Sequence, residues 1–538
     1  MHHAKEQIIM LLQKNLHTLR KLHPTLAKRI SWPVESSHII EKDNKIGYVL
    51  HDTPYPIGLS RKKIQRFSKL APYSKDVLLW GCGLGDILDV LLAKQNNVVL
   101  WERDPWLLRL LLKRRDFEPF LRSGQLRILL GADIVAEREN VQNHQLIGHP
   151  FFSSLYRFEK RIISDVDAPI AFLCRGELFV NDVGNILQDK GYAVYMWDVE
   201  SVSHDEVVYG ALCAKPTLCV SINYRYGLAE IVERISSKLL VWEIDPSMDQ
   251  IRPLATESSC SFVYTWRRAH IDAFQRAGFK NVRYLPLATD INRCFPAKGT
   301  PLEREKYGAS ISFVGASLVD QGRHYRDVFL SSYEQWSQRK DGQERLLSLM
   351  QEQSEDWSQF LVPDLLRKWF PEFSKAMEGA QVSLSSLLGE WTASRKRNAY
   401  VTALESKSID VWGDRRWGSI PNYRGQAGHL REVVHIYRHS TINVDINRIY
   451  QPDIVTMRVF DVIASGGFIL TEYTPALDEI FDVGVEIATY RTMEELVEKV
   501  DYYLAHPQER QEVIAAGLSR VLRDHTMRLR IETMLSTV

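Results

Sequence analysis

Short, nearly unbroken apolar runs recur along this chain, and segments with helical spacing separate them. Val77–Trp80, Val98–Trp101, Ile170–Cys174, the KLLVWE run before Ile244, Ser310–Val314 and Phe468–Leu470 are of this kind. A run apolar on both faces, bounded by glycine or polar turns, is the pattern of a strand buried in a parallel sheet. Between these runs lie apolar helical stretches such as Asp86–Ala93 and Asn181–Asp189. Strand and helix alternating in this way predict an α/β chain built on parallel sheets. At the start, Ile8, Ile9, Leu11, Leu12, Leu16, Leu19 and Leu22 mark one face of an amphipathic helix. Residues 326–408 are rich in helix formers and longer than one crossover needs, which predicts a helical insertion over about 335–395.

With 538 residues the chain exceeds one core. The breaks in pattern predict an N-terminal helical plus Rossmann-like domain over 1–160, a second α/β domain over 161–300 and a third over 301–538. A net charge of +1 argues against a general nucleic-acid binder, and no apolar run has the length of a membrane span. The six cysteines contain no C-x-x-C pair, and several sit in apolar runs, which fits reduced thiols and a cytoplasmic location.

The densest chemistry lies in QPDIVTMRVFDVIASGGFILTEYTPALDE, Gln451 to Glu479. It predicts a helix, a turn at Ser465-Gly466-Gly467, a buried strand, and a polar loop Glu472-Tyr473-Thr474 at the strand's carboxyl end. Asp453 and Asp461 are spaced to share a face if the helix runs through both. The segment resembles the nucleotide-sugar half of GT-B glycosyltransferases, with wording closest to their CgeB-like branch. Most such enzymes carry Glu at both acidic positions, where this chain has Asp453 and Asp461. The likeness extends more loosely back to residue 168.

A second motif, Gly81-Cys82-Gly83-Leu84-Gly85, follows a predicted strand, and Glu102 ends the next one. This resembles the first motif of S-adenosylmethionine methyltransferases and the Rossmann segment of Maf-type flagellin glycosyltransferases. It makes Gly81, Gly83, Gly85 and Glu102 a candidate second nucleotide site; a purely structural turn is the alternative.

The resemblance implies a GT-B fold: two facing Rossmann-like domains, preceded here by an additional N-terminal α/β Rossmann-like domain. It implies transfer of a sugar from a UDP-, GDP- or TDP-sugar, with no cofactor. The acceptor would be a surface protein such as flagellin. No D-x-D motif closes a strand, so the diphosphate is expected to meet helix dipoles and cations in place of a metal. Donor-binding candidates are Gly315, Ala316, Arg326, Arg458, Asp461, Gly466, Gly467, Glu472, Tyr473 and Thr474; catalytic candidates are Glu177, Asp245 and Asp453. Two alternatives stand beside this reading: a bifunctional methyltransferase/glycosyltransferase, and a non-catalytic interaction protein on the same scaffold.

Overall fold

A computed structural model of the chain describes residues 2–35, 39–42, 45–50, 53–176, 179–245, 251–379, 383–428 and 432–538. The chain is α/β and carries three parallel sheets. It forms two compact units, one of Met1–Asp245, Arg252–Val263 and Gln275–Val282, the other chiefly of Tyr264–Phe274 and Arg283–Val538. No helix among the described residues is long and apolar enough to cross a membrane.

In the first unit, Asp76–Trp80 pairs in parallel with Asn97–Glu102 on one side and Gln145–Gly148 on the other, and Leu126–Leu130 pairs with Asn97–Glu102. Numbered along the chain, these strands stand in the order 3-2-1-4. The second sheet has Ile170–Cys174 between Ala193–Trp197 and Leu218–Ile222, with Lys238–Glu243, Ser258–Thr265 and Phe279–Tyr284 beyond. Ile170–Cys174, Ala193–Trp197 and Leu218–Ile222 are buried along their whole length, as their unbroken apolar runs require.

Arg29, on the helix Pro24–Ile30, links these two sheets. Its guanidinium donates to both oxygens of Asp133, which follows Leu126–Leu130, and to both oxygens of Glu206, on the helix His204–Ala214. It also donates to Leu130 O and lies 3.9 Å from the Tyr209 ring centroid. A guanidinium is suited to this because its planar fork serves two carboxylates at once.

The sheet of the second unit is parallel throughout. Its strands are, in space, Tyr423–Gly425, Asp410–Trp412, Ala309–Val314, Ser440–Asp445, Ile469–Glu472 and Ala488–Tyr490. Along the chain this is 3-2-1-4-5-6, the doubly wound order whose direction reverses between strands 1 and 4. Phe313, Val411, Ile442, Val444, Leu470 and Tyr490 form its core with Tyr400 and Val401 from the helix Leu384–Ala403.

Between Ala309–Val314 and Asp410–Trp412 the chain makes five helices, from Val319–Ser337 to Leu384–Ala403. They have their own core, including Phe329, Leu349, Phe370, Phe373 and Leu388. Gly322 lets the first and last of these helices meet backbone to backbone: a Cβ there would lie 2.9 Å from Trp391 Cα. The C-terminal helix Met527–Leu535 is tied to the segment before the sheet. Met527 N–H donates to Thr289 O, and Arg530 donates to Pro286 O.

Arg29→Met should leave Asp133 and Glu206 facing each other without their cation. Loss of one partner from a buried ionic cluster costs about 3–5 kcal/mol. Urea unfolding followed by tryptophan fluorescence should show an earlier transition than wild type; an unchanged midpoint would contradict the linking role.

Candidate functional site

In a doubly wound sheet the loops at the reversal of strand order splay apart above the carboxyl ends, leaving a crevice. Here those loops are Gly315–Ser317, after Ala309–Val314, and Ile446–Asp453, after Ser440–Asp445. Trp412 O accepts from Gly315 N–H, and Gly315 O accepts from Trp417 Nε1. Asp414 accepts from Ser317 N–H and Ser317 Oγ, fixing the turn before the long helix. A Cβ on Gly315 would sit 3.3 Å from Arg458 Nη2, so glycine lets that guanidinium lie against the turn.

Four cations gather at this edge. Lys396 and Arg397 come from Leu384–Ala403, Arg448 from the loop after Asp445, and Arg458 from the first turn of Met457–Ala464. Lys396 donates to Glu472 Oε1 at 2.5 Å, with the lysine side chain 1% exposed. Arg458 pairs with Asp445, which also accepts from Thr456 Oγ1 and Thr471 Oγ1. Arg448 Nε lies 3.5 Å from Glu390 Oε1, to which Tyr450 OH donates.

Arg397 differs from the other three: it forms no salt bridge among the described residues. Its Nη1 donates to Ala316 O at 2.9 Å. Burial, then the neighbouring charges of Arg458 and Arg448, lower its pKa to about 10. Arg397 Nε, Asn447 Oδ1, Glu390 Oε2 and both polar side-chain atoms of Gln451 are buried without a hydrogen-bond partner. Unpaired buried polar atoms are rare in native folds. Lys396, Arg448 and Arg458 each face a carboxylate, Glu472, Glu390 and Asp445, whereas Arg397 is paired with none among the described residues. The edge is thus arranged to accept an anion, and Ala316 is exposed above it.

The structure corrects several expectations for this region. Asp453 and Asp461 do not share a helical face, because the helix begins only at Met457, with Thr456 as its N-cap. Asp453 lies in the preceding loop and accepts from Arg267 Nη2 at 2.6 Å. Asp461 is buried and accepts from Thr289 Oγ1 at 2.6 Å and from Arg293. Burial raises its pKa and Arg293 opposes the rise; with both oxygens engaged, it joins the pre-sheet segment to the helix.

Gly466 and Gly467 lie at the amino end of Ile469–Glu472, the opposite edge from Gly315, since a turn that precedes a parallel strand sits there. Arg326 pairs with its exposed neighbour Asp327 and leaves the crevice. Glu472 stays at the edge as the partner of Lys396, with its pKa raised by burial against the pull of that ammonium. Tyr473 donates to Asp478 and lies under Arg491, 3.5 Å from ring centroid to guanidinium, and Thr474 donates to Ile454 O.

Of the other catalytic candidates, Glu177 lies outside the described residues. Asp245 belongs to the first unit, where it is exposed and its Oδ2 accepts from Asn223 Nδ2 at 3.0 Å. Asn223 closes the strand Leu218–Ile222 with φ of 58°, a conformation Asn tolerates better than most residues. Lys396, Arg397, Arg448 and Asp445 also lie at this edge and were not singled out in the sequence. The signal for the first two was the basic run Arg395-Lys396-Arg397 inside a largely buried helix.

The glycine turn of the first unit is filled by protein. Gly81, Gly83 and Gly85 all have positive φ. Cβ atoms on them would lie 2.5 Å from Phe152 Cβ, 2.5 Å from His149 Nε2 and 2.7 Å from Leu111 Cδ1. His149 and Phe152 follow Gln145–Gly148, the strand across the reversal point of that sheet, and occupy its crevice. Glu102 is fully buried and accepts from Cys82 N–H, Asp104 N–H and Tyr156 OH. These glycines serve helix–strand packing, and the acid that would grip a ribose holds the turn together. These contacts favour the structural turn, the alternative to a second nucleotide site there.

With this geometry in view, residues 395–536 match the family described as Glycosyl transferase-like. All four cations of the cluster lie within the matched residues. No curated protein matches the chain. Among solved structures, Anabaena Alr3699/HepE in complex with UDP-glucose superposes with a TM-score of 0.41 at 13% identity, covering 69% of this chain and 99% of that one. Sucrose-phosphate synthase from Thermosynechococcus elongatus gives 0.36 at 11%, covering 69% and 98%. The Maf glycosyltransferase of Magnetospirillum magneticum AMB-1 gives 0.22 at 12%, covering 54% and 58%.

Gly83→Ala combines a strained positive φ with a clash against His149, and should cost about 1–3 kcal/mol. Calorimetry should give no S-adenosylmethionine binding in wild type or variant; saturable binding abolished by Gly83→Ala would restore a ligand role. The same packing makes a pH prediction. Burial pushes the His149 imidazole down to about 4 from an ordinary 6.5. A depressed histidine favours the folded state above its unfolded pKa, and that contribution fades as pH falls from about 6.5 toward 4. The loss should approach about 3 kcal/mol, and His149→Phe should flatten the profile in that window.

Proposed function

We propose that this protein is a GT-B glycosyltransferase whose donor diphosphate sits on the cation cluster at the carboxyl edge of the C-terminal sheet. The observation that carries this reading is Arg397: a buried guanidinium without a carboxylate, beside two other arginines, under the open Gly315–Ala316 turn. A dianionic ligand would supply the missing counter-charge. The glycosyltransferase-like match over 395–536 supports the choice of a sugar nucleotide as that ligand. The donor is a UDP-, GDP- or TDP-sugar; HepE, one of the proteins this chain is similar to, was solved with UDP-glucose.

In this reaction the bond from sugar C1 to the phosphate oxygen breaks and its electron pair stays on the diphosphate. The acceptor oxygen bonds to C1 and its proton departs. Charge therefore grows on the leaving diphosphate, and pre-placed cations in a poorly solvated edge act on it with little reorganisation. Arg397, Arg448 and Arg458 are the groups for that charge. Asp445 holds Arg458 in place, and Glu472 does the same for Lys396. Asp453, next to Arg267 on the loop facing the same edge, is the residue of this unit suited to the sugar side. The acceptor is read as a protein hydroxyl, on the likeness of the N-terminal motif to the Maf-type flagellin enzymes.

Titration with UDP-, GDP- and TDP-sugars tests the reading. One of them should bind wild type, and Arg397→Gln should weaken it about tenfold to a hundredfold, the range expected for a charge-assisted bond of about 1.5–3 kcal/mol. Donor hydrolysis or transfer should persist in EDTA. Wild-type donor affinity in Arg397→Gln, or activity abolished by EDTA and restored by Mg²⁺, would contradict the proposed role of the cluster.

A further inference from the structure

The opposite, amino-terminal edge of the same sheet carries a second basic recess. It has a volume of about 640 Å³ and opens where the strands Ala309–Val314, Ser440–Asp445 and Ile469–Glu472 begin. Such volumes fall within the roughly 300–1,000 Å³ of small-molecule sites. Lys298, Arg304, Arg438 and Arg510 all line it, and its lining contains no carboxylate. None of the four forms a salt bridge among the described residues. Their hydrogen bonds go to backbone carbonyls: Arg304 to Lys298 O, Arg438 to Phe295 O, Arg510 to Tyr503 O. The nearest acid, Glu303, is engaged by Thr300 N–H and His435.

Ser440 adds an independent sign. It is 6% exposed, lines the recess, and its Oγ is buried without a hydrogen-bond partner. Arg438 Nε and His439 Nε2, also on the lining, are buried and unpartnered as well. Unpartnered polar atoms beside four cations, with no carboxylate on the lining, describe an anion site. The Gly466–Gly467 turn lines this recess, so the glycines the sequence suggested for the donor belong here. A strand of six residues separates the two edges by roughly 20 Å, so one ligand phosphate cannot serve both.

We propose that this recess is a second anion site, which binds a run of phosphoryl groups, free or on a nucleotide. Four cations outnumber what one carboxylate or a single phosphate would satisfy, and guanidinium forks match phosphate oxygens in pairs. The ligand is held by Arg438 and Ser440 at the base and by Lys298, Arg304 and Arg510 at the rim.

Full-length protein is titrated with tripolyphosphate and with ATP by calorimetry. Binding should survive Arg397→Gln, which addresses the other edge. Added to that variant, Lys298→Glu with Arg510→Gln should weaken binding about tenfold or more. Lys298 is exposed, so Lys298→Glu alone, which should still weaken binding severalfold, covers the case in which the double change disturbs folding. Equal affinities for the two ligands assign the site to the phosphate chain, and tighter ATP assigns it to a nucleotide. Unchanged affinity in the Lys298 and Arg510 variants, or no binding of either ligand at millimolar concentration, would overturn the proposal.

Discussion

The C-terminal sheet depends on keeping positive charge inside protein at the one place where its strand order reverses. Burying an ammonium or guanidinium is expensive unless carboxylates and hydrogen bonds compensate it. The fold meets most of that cost with two buried pairs, Lys396–Glu472 and Arg458–Asp445, whose acids close adjacent parallel strands. Arg397 is left with a carbonyl and two like-charged neighbours, with Asp445 and Glu390 close enough to oppose them but forming no salt bridge to it. A fold optimised for stability alone would have little reason to keep it. The diphosphate proposed to bind at this edge would bring charge of the opposite sign to it.

The two doubly wound sheets that begin with a strand and a glycine turn make opposite use of that feature. In the first unit, the crevice at the reversal point is filled from the facing strand by His149 and Phe152, and Glu102 is saturated by Cys82, Asp104 and Tyr156. In the second, the facing loop contributes Arg448 and leaves Asn447 and Gln451 with unpaired buried atoms. Topology creates a crevice in both cases, and the side chains on the loop opposite the glycine turn decide whether it is packed or available. Arg29 makes the contrast sharper: it uses a buried cation to join sheets, with its charge matched by Asp133 and Glu206.

The α/β architecture was legible because parallel strands buried on both faces leave unbroken apolar runs, and Val77–Trp80, Ile170–Cys174 and Phe468–Leu470 each became or overlapped a strand. The placement of the Gly315 turn and Arg458 at the carboxyl edge was legible because strand-end glycines and nearby cations are local signals. The spacing of Asp453 and Asp461 misled, since Pro452 and Thr456 delay the helix until Met457. Gly466 and Gly467 misled because a glycine turn looks the same before a strand as after one; only the direction of the strand tells which edge it occupies. Lys396 and Arg397 were hidden by distance along the chain: nothing local links Arg397 to Ala316, 81 residues earlier, or Lys396 to Glu472, 76 residues later.

The most direct measurement is a structure of the protein with a nucleoside diphosphate or its sugar bound. The account predicts phosphate oxygens at the Gly315–Ala316 turn, within hydrogen-bond distance of Arg397 and of Arg448 or Arg458, with Arg397 Nε no longer unpartnered. A diphosphate bound instead at the Gly81–Gly85 turn, or one that leaves Arg397 without contact, would contradict it.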